Sequence, residues 1–357
     1  MFLISNNLNF MKYVSVLLLL LLISCKQEKS QLFLDLFAEN QEVQLFEIKG
    51  YPMDSLQAPD MILGVGDYII LSEPKLNSLL SCYNYKTAYF KRFLSKGQGA
   101  NEVINVQTMG YCNNEKGFYV HDVMGQSVST FLLKDTFSIL TKDAILPEER
   151  ICSISYDDSL AFFTKAGTVK HFAVRTNLNK FIDFGNDIYL ENKTPEAVTQ
   201  ILQGPSVVSP AKKRMAWFSV YGDVFEVYDF TDFENIRLIR SVVGTLPVFS
   251  TVGGMNSAAL EKETKLGVSS VATNDQFLFA LYNENTLEDA IKLKDEVFYS
   301  NKILIFDWEG MPYKVLNLDK KIRSLSYWRN KNMIICLGLD TYLNPALYYI
   351  DLGQINI

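Results

Sequence analysis

The amino-acid sequence predicts an all-β protein, and three observations support this fold class. First, residues 301–352 hold five short apolar runs with turn-forming residues between them and no helix, as in an antiparallel meander. Second, Tyr and Phe number 19 and 24 while charged residues make up 21%, a balance that suits sheets packed face to face. Third, comparable units recur at spacings of about 45–60 residues, typical of four-stranded propeller blades; they begin near Pro59, Asn105, Ile151, Ser206, Gly267 and Lys321. The sequence therefore predicts a six-bladed β-propeller.

The N-terminal residues match a bacterial lipoprotein signal, which has to be set apart from the fold. Lys12 precedes the apolar run Tyr13 to Ile23, too short to span a bilayer comfortably, and Leu22-Ile23-Ser24-Cys25 fits the signal box. In such a box the small residues before the cysteine allow cleavage, and the Cys25 thiol carries diacylglycerol, with palmitate as an expected acyl chain. An ordinary secretory signal that happens to contain Cys25 is the alternative, and Met11 is an alternative start to Met1.

We expect three segments: a signal peptide over residues 1–24, a tether over 25–40 and the propeller over 41–357. Two insertions interrupt the propeller repeat with helical patterns. In the first, Thr194 is a good N-cap, Pro195 fits the first helical position and Gly204 the stop. The second lies within residues 283–301 of blade 5. Long insertions are where binding surfaces tend to sit, although a surface helix without a binding role is the alternative.

The two ends of the chain are predicted to close the ring. The last blade supplies only three strand-like runs, Ile322 to Tyr327, Met333 to Leu337 and Ala346 to Asp351, so its outermost strand is missing. An open edge there would leave backbone donors and acceptors unpaired. Val43 to Ile48 belongs to no other unit, so we predict that it pairs antiparallel with Ala346 to Asp351. A chain that begins at Glu39 is then expected to fold normally.

Two pieces of the sequence resemble a known family. One is the strand and turn Phe306-Asp307-Trp308-Glu309-Gly310-Met311-Pro312, followed by Leu318-Asp319 and Ile322. The other is Gly97-Gln98-Gly99-Ala100-Asn101-Glu102-Val103, which is similar to a G-x-G-P-x-E turn, with Ala100 in the place of proline. Together they resemble the TolB-like six-bladed β-propeller lipoproteins of Bacteroidetes. The resemblance implies a propeller that acts as a binding or scaffolding module in the envelope, without a specified ligand.

No pattern of catalytic residues emerges from the candidates. The two histidines, His121 and His171, fall in different blades without the spacing of a zinc site or a catalytic triad, and a hydrogen-bonded turn histidine is the expected role of His121. There is no G-x-S-x-G elbow. Gly97-Gln98-Gly99 lies between two strands, so we interpret it as a tight turn with positive-φ glycines rather than a phosphate loop.

No cofactor and no metal ligand are predicted. The acidic pairs Glu148-Glu149 and Asp157-Asp158 lack the spacing of a calcium loop, although separate blades of a propeller can together line a metal site on the central channel. Cys82, Cys112, Cys152 and Cys336 lie in apolar runs of different blades, which favours free buried thiols over two disulfides. Packing between blades is the expected role of the tryptophans, and sugar stacking is the alternative; they are Trp217, Trp308 and Trp328.

The charge of the chain bears on its partners. A net charge of −6 without a long basic block excludes the usual electrostatic footprint of nucleic-acid binding. Lys26 follows Cys25 where a retained inner-membrane lipoprotein has aspartate, which favours the outer membrane, facing the periplasm or the exterior. The sequence thus predicts a lipid-anchored, non-catalytic module for an unknown protein or glycan. The alternatives are a propeller enzyme of lyase, lactonase or sugar-processing type with its site on the channel, and a sensor or assembly partner.

Overall fold

The computed structural model divides the chain into two units, Met1–Gln31 and Leu32–Ile357, and all the residues it describes lie in the second. It describes residues 33–355 apart from 53–55, 113–116, 134–138, 145–150, 158–159, 177, 179, 186–187, 189, 191–192 and 252–257. Cys25 and the signal segment therefore lie outside the described residues. In the described part no helix is long and apolar enough to cross a bilayer.

The first four blades are separate antiparallel sheets whose strands follow one another in chain order. In blade 1 a short fifth strand, Glu102–Val103, adds in parallel to the outer edge. The strands of blade 1 are Met61–Val65, Tyr68–Ser72, Ser78–Asn84 and Tyr89–Lys96; of blade 2 Thr108–Cys112, Gly117–Asp122, Ser127–Leu132 and Ile139–Ala144; of blade 3 Ile151–Asp157, Leu160–Lys165, Phe172–Arg175 and Phe181–Phe184; and of blade 4 Ser206–Ser209, Arg214–Phe218, Val224–Asp229 and Arg237–Val243.

Blades 5 and 6 share one long strand, Pro312–Trp328, which is the outermost strand of blade 5 and then the innermost strand of blade 6. The predicted turn at Asp319 to Lys321 is therefore wrong. The residues there are polar, but the chain passes between the two sheets with only a register shift near Ile322. Blade 5 also contains Val268–Thr273, Phe277–Tyr282 and Ser300–Asp307, and blade 6 contains Met333–Leu339, Pro345–Asp351 and Phe46–Glu47.

The N-terminal strand closes the last blade, as predicted, but over a shorter length. Phe46 and Glu47 pair antiparallel with Tyr349 and Tyr348, and the Ile48 N–H donates to the carbonyl of the next residue along, at 2.8 Å. Val43 does not take part, because Asn40–Val43 pairs in parallel with the outer strand of blade 5. The same short segment thus covers the outer edges of two blades.

Between these two pairings the chain is fixed by a buried residue, Leu45. Its side chain is 4% exposed and packs in the apolar core of blades 5 and 6. Its N–H donates to Asp319 Oδ1 at 2.8 Å, so the polar residue where a turn was predicted instead holds the N-terminal segment.

Part of the segment expected to be a tether packs on the propeller. The 3₁₀ helix Phe33–Leu36 places the fully buried ring of Phe33 between blades 4 and 5, 5.8 Å from the Tyr282 ring. Phe37 adds an edge-to-face contact with Phe306, at 5.1 Å. Burial of one such aromatic ring contributes about 1.5–3 kcal/mol. The folded unit therefore begins before residue 40.

Side-chain hydroxyls join the innermost strands of neighbouring blades. Across the seam between blades 6 and 1, Ser324 Oγ and Ser326 Oγ accept from the N–H groups of Ile62 and Gly64, each at 3.3 Å. The partners advance in step, so the two inner strands run in the same direction. Other seams are held by Tyr111 OH to Gly64 O (3.0 Å), Tyr119 OH to Ile154 O (2.9 Å), Ser153 Oγ to Gly204 O (3.1 Å), Val268 N to Ser219 O (2.9 Å) and Leu325 N to Ser270 Oγ (3.2 Å).

This arrangement gives the ring two different faces. In a four-stranded antiparallel meander, the turn after the second strand and the connection to the next blade lie at the same sheet edge. Because the inner strands at the seam between blades 6 and 1 run the same way, these edges form one face, which we call the insertion face. It carries the three longest connections, residues 185–205, 244–267 and 283–299.

The insertions contain the short helices and a hairpin. The helix Pro195–Ile201 is confirmed with its cap, since Thr194 Oγ1 accepts from Ala197 N at 3.2 Å. The second helical pattern forms only Asp289–Leu293, followed by the 3₁₀ helix Lys294–Phe298. A hairpin that the sequence did not indicate lies in residues 244–267; its strands are Phe249–Thr251 and Ala258–Leu260, and the remaining 3₁₀ helices are Arg329–Lys331 and Leu352–Gln354.

The glycine turn after blade 1 has a different cause from the one expected. Neither Gly97 nor Gly99 has a positive φ. Instead the Glu102 carboxylate folds back against the turn and accepts from Gly99 N at 2.9 Å. A Cβ on Gly97 would lie 2.1 Å from Glu102 Oε2, so the turn needs glycine for close approach.

A truncation series tests the N-terminal contacts. A chain that begins at Glu39 loses Phe33 and Phe37, and we expect it to be less stable than one that begins at Lys26 by on the order of 3 kcal/mol. A chain that begins at Ser55 also loses the closing strand, which exposes a sheet edge, and should aggregate. Equal melting temperatures for the Lys26 and Glu39 chains would show that the aromatic wedge adds nothing.

Candidate functional site

The insertion face exposes large apolar side chains at its turns and connections. Of the fifteen large apolar residues that the described part exposes, seven lie there, against three in the turns of the opposite face. Ile291 and Tyr342 are the most exposed of the seven, at 76% and 83%. We call these seven residues the apolar rim: Met124, Val169, Val248, Ile291, Phe298, Tyr342 and Leu343. Contiguous or clustered exposure of this kind marks interaction sites.

The turn of blade 6 holds two rim residues in solvent. Asp340 Oδ1 accepts from the N–H groups of Tyr342 and Asn344, both at 2.8 Å, and these bonds lower the pKa of its carboxyl group. Leu343 has a φ of +64°, a left-handed conformation that a branched apolar residue rarely adopts. Sequence and local energy thus do not favour an exposed leucine here, and a strained residue at a turn tip is a candidate for function.

The turns of the face are fixed by polar residues at the ends of the second strands. In blade 1 Glu73 Oε1 accepts from Gln57 N at 2.9 Å, and in blade 2 Asp122 Oδ2 accepts from Ile104 N at 2.7 Å. In blade 5 Asn283 Nδ2 donates to the Val297 carbonyl at 2.7 Å. These acids and amides therefore position the loops. Their role is structural rather than that of a convergent catalytic set.

A buried charge pair fixes the second insertion to blade 5. Asp223, fully buried, accepts from Tyr282 OH at 2.8 Å and lies 3.3 Å from Lys265 Nζ. Lys265 also donates to Tyr282 OH and lies over its ring. Burial, together with the Asp223 charge, raises the pKa of Tyr282, so its hydroxyl stays a donor. The insertion is thus held at both its backbone and its charged side chains.

The mouth of the central channel on this face holds two charged residues that are not paired. Arg323 lies at the start of the inner strand of blade 6, and its guanidinium is 5.9 Å from the centre of the Phe298 ring and 6.0 Å from that of Tyr299. Asp60 precedes the inner strand of blade 1, and its Oδ1 is buried with no hydrogen-bond partner among the described residues. Burial raises the pKa of Asp60, while the Arg323 charge opposes this rise.

A third group of polar atoms is enclosed between blades 3 and 4. Glu226 and Trp217 lie opposite each other on neighbouring strands, both fully buried. In the described structure Glu226 Oε1 and Trp217 Nε1 have no hydrogen-bond partner, whereas Tyr228 OH donates to Glu226 Oε2 at 2.7 Å. Burial raises the pKa of Glu226 to about 7. An acid with this pKa suits general acid catalysis, but a substrate has no surface from which to reach this one.

The structure places the sequence candidates away from any common site. His121 is buried in a strand, and neither ring nitrogen has a partner within the described residues, so the expected turn hydrogen bond is wrong. Burial lowers the pKa of His121 to about 4 and that of His171 to about 3. His171 instead packs 4.7 Å from the Trp217 ring. In the described ranges no group of three or more His, Cys, Asp or Glu side chains could hold a metal ion.

The cysteines and tryptophans are packing residues. Cys82, Cys112 and Cys336 are buried free thiols, as predicted, while Cys152 is free but half-buried. Burial raises the pKa of Cys82 to about 11, which makes its thiol unreactive near neutral pH. The tryptophans are at most 3% exposed, so the stacking-platform alternative is wrong; they are Trp217, Trp308 and Trp328.

The residues that sequence reasoning missed are Asp60, Arg323 and the members of the rim. Arg323 and Asp60 belong to different blades and meet only because the ring closes. The one available signal was position, since each lies at the start of an innermost strand and a propeller brings these starts to the channel mouth. For the rim the signal was an apolar residue at a turn tip, as at Tyr342-Leu343.

The pKa of Glu226 gives a testable pH dependence. Its folded value, about 7, lies above its unfolded value, so the stabilisation by the neutral acid is complete below about pH 4.5 and lost as the pH rises through about 7, a change on the order of 3 kcal/mol. We expect Glu226→Gln to melt at a more constant temperature between about pH 4.5 and pH 8 than the wild type. Glu234→Gln, which removes an exposed carboxylate, is the control. An unchanged pH dependence in Glu226→Gln would contradict the assignment.

Comparison with known proteins places this geometry among propellers. Residues 40–327 match a family model described as TolB-like 6-blade propeller-like. A search of curated proteins finds no match. Similar solved structures include a member of the DUF4221 family from Bacteroides vulgatus (10% identity, TM-score 0.55, 87% of this chain and 98% of that one) and a putative exported protein from Bacteroides fragilis (12%, 0.50, 87% and 99%). A luciferin-regenerating enzyme is also similar (9%, 0.50, 86% and 94%). At these identities the likeness concerns the fold alone.

Proposed function

The chain belongs to the TolB-like 6-blade propeller-like family, and we propose that it is a lipid-anchored envelope protein whose insertion face binds another protein without catalysing a reaction. The observation that carries this proposal is the apolar rim. Exposed leucine, isoleucine and tyrosine side chains are ordinary when single, but here they recur at turns and connections of one face.

The distribution of the rim favours a protein as the partner. Its members come from turns or connections associated with five of the six blades, too widely spread for a small ligand to touch together. The loops beneath them are held by Asp122, Asn283, Asp340 and the Asp223 to Lys265 pair, so little ordering is needed on binding. A rigid face with separated apolar anchors suits a protein surface with matching pockets.

Several observations support a role without chemistry. Both histidines are enclosed and have lowered pKa values, so neither serves as a base at the surface near neutral pH. The acids at the ends of the second strands accept hydrogen bonds from loop backbone. Glu226, the acid with the most suitable pKa, is closed off between blades 3 and 4.

The proposed anchor is the lipidated Cys25, which places the protein in the outer membrane. Eight residues separate Cys25 from Phe33, the first residue packed on the propeller. Attachment by two or more acyl chains would be stable, since one chain gives only marginal binding. Lys26 after Cys25 supports the outer rather than the inner membrane.

Replacement of Cys25 tests the anchor. Cys25→Ser should abolish labelling with a palmitate analogue and move the protein from the membrane to the soluble fraction, because no acceptor thiol remains. Cys152→Ser, which removes a half-buried thiol of the propeller, is the control and should change neither result. Membrane partitioning and labelling of Cys25→Ser at wild-type levels would rule the anchor out.

Two double variants test the insertion face. We expect Ile291→Glu with Tyr342→Glu to lose the complex that cross-linking of intact cells traps for the wild type, because each change places a charge at an apolar contact. Leu178→Glu with Met311→Glu, at turns of the opposite face, should retain it. The cross-linked partner, once purified, should bind the first variant about tenfold or more weakly. Equal binding to both variants, or a lower melting temperature in the first alone, would contradict the proposal.

A further inference from the structure

We propose that the channel mouth on the insertion face is a binding site for a small carboxylate that also carries a hydroxyl or ammonium group, held between Arg323 and Asp60. This site does not rest on the apolar rim or on a protein partner. It rests on two opposite charges that lie close together and remain unpaired.

The position of the two residues follows from the seam between blades 6 and 1. Ser324 Oγ accepts from Ile62 N at 3.3 Å, so these two residues lie side by side. Arg323 is one residue before Ser324, and Asp60 is two residues before Ile62. Both therefore lie at the insertion-face end of the same seam, where the channel opens. The Arg323 charge acts on the pKa of Asp60, which confirms that the two groups are near each other.

Arg323 is prepared for an anion. Its guanidinium lies over the rings of Phe298 and Tyr299, and in the described part of the chain it has neither an ion pair nor a hydrogen bond. Contact of the aromatic rings with the face of the guanidinium leaves its N–H groups, which point outward in the plane, free to donate. Two of them match the two oxygens of a carboxylate.

Asp60 supplies the second requirement. Its Oδ1 is buried and accepts no hydrogen bond from any described residue, which is costly for a carboxyl oxygen. A hydroxyl or ammonium group of a ligand would donate to this oxygen. A ligand that joins such a donor to a carboxylate satisfies both residues at once, whereas a neutral sugar lacks the anion and a simple fatty acid lacks the donor.

The aromatic wall limits the shape of the ligand. Phe298 is 43% exposed beside Arg323, so the bound molecule has an apolar surface to rest against. A uronic acid presents the C–H face of a sugar ring, and an α-amino acid presents its side chain. Both share the required chemistry, and the experiment separates them.

The experiment is calorimetric titration of the full-length protein with D-glucuronate and with L-alanine, and D-glucose as the neutral control. We expect at least one of the two acids to bind and D-glucose not to bind. Glucuronate alone indicates a hydroxyl donor to Asp60, and alanine alone an ammonium donor. Absence of binding by both acids, or equal binding of D-glucose, would overturn the site.

Variants then assign the contacts. Arg323→Gln should weaken binding of the acid about tenfold or more, and Asp60→Asn should weaken it as well, because each removes a charge-assisted hydrogen bond. Arg323→Lys keeps the charge but not the fork and should be intermediate. Lys321→Gln removes an equal charge from an exposed neighbour and is the matched control. If Arg323→Gln, melting like the wild type, binds no worse than Lys321→Gln, the proposal is wrong.

The rim variant keeps this test separate from that of the proposed function. Ile291→Glu with Tyr342→Glu should bind the acid as the wild type does, since neither residue lies in the mouth. Loss of acid binding in this variant would overturn the site as an independent one. Loss of the protein complex with unchanged acid binding fits both proposals.

Discussion

The structure depends on how the unpaired inner edges of its sheets are satisfied. Each blade presents the backbone of its innermost strand to the channel, where no further strand pairs with it. Hydroxyl groups of the next blade supply partners instead, as Ser324 and Ser326 do for Ile62 and Gly64. Because these bonds have short reach and fixed direction, they set the register of one blade against the next. The positions of the turns on the insertion face follow from that register.

The outer edges impose a different constraint, and the N-terminal segment meets it for two blades at once. Asn40–Val43 covers blade 5 and Phe46–Glu47 covers blade 6, with Leu45 buried between them. A single straight strand could not follow both sheets, because the sheets diverge from the channel. The shared strand Pro312–Trp328 has the same cause in reverse, since it leaves one sheet as its outermost strand and enters the next as its innermost.

Features that depend on local patterns were predictable, and features that depend on the ring were not. The apolar alternation gave the strand runs and the six blades, and Thr194-Pro195 gave a capped helix, because both are decided within a few residues. Asp319 was predicted in a turn because it is polar, but it serves Leu45, far away in the chain. The candidate site was missed for the same reason: Arg323 and Asp60 carry no motif, and only the seam between the first and last blades brings them together.

The treatment of charge elsewhere in the molecule bears on that site. Lys165, which is 1% exposed, lies 2.9 Å from Asp183, and the fully buried Asp223 pairs with Lys265 and accepts from Tyr282. Half-buried Arg214 likewise contacts both Asp229 and Glu309. Removal of charge from water without a partner is costly, and these pairs show that the fold avoids it. At the channel mouth two opposite charges lie close enough to influence each other and yet stay apart. Packing alone gives no reason for this separation, whereas a ligand that bridges the two groups does.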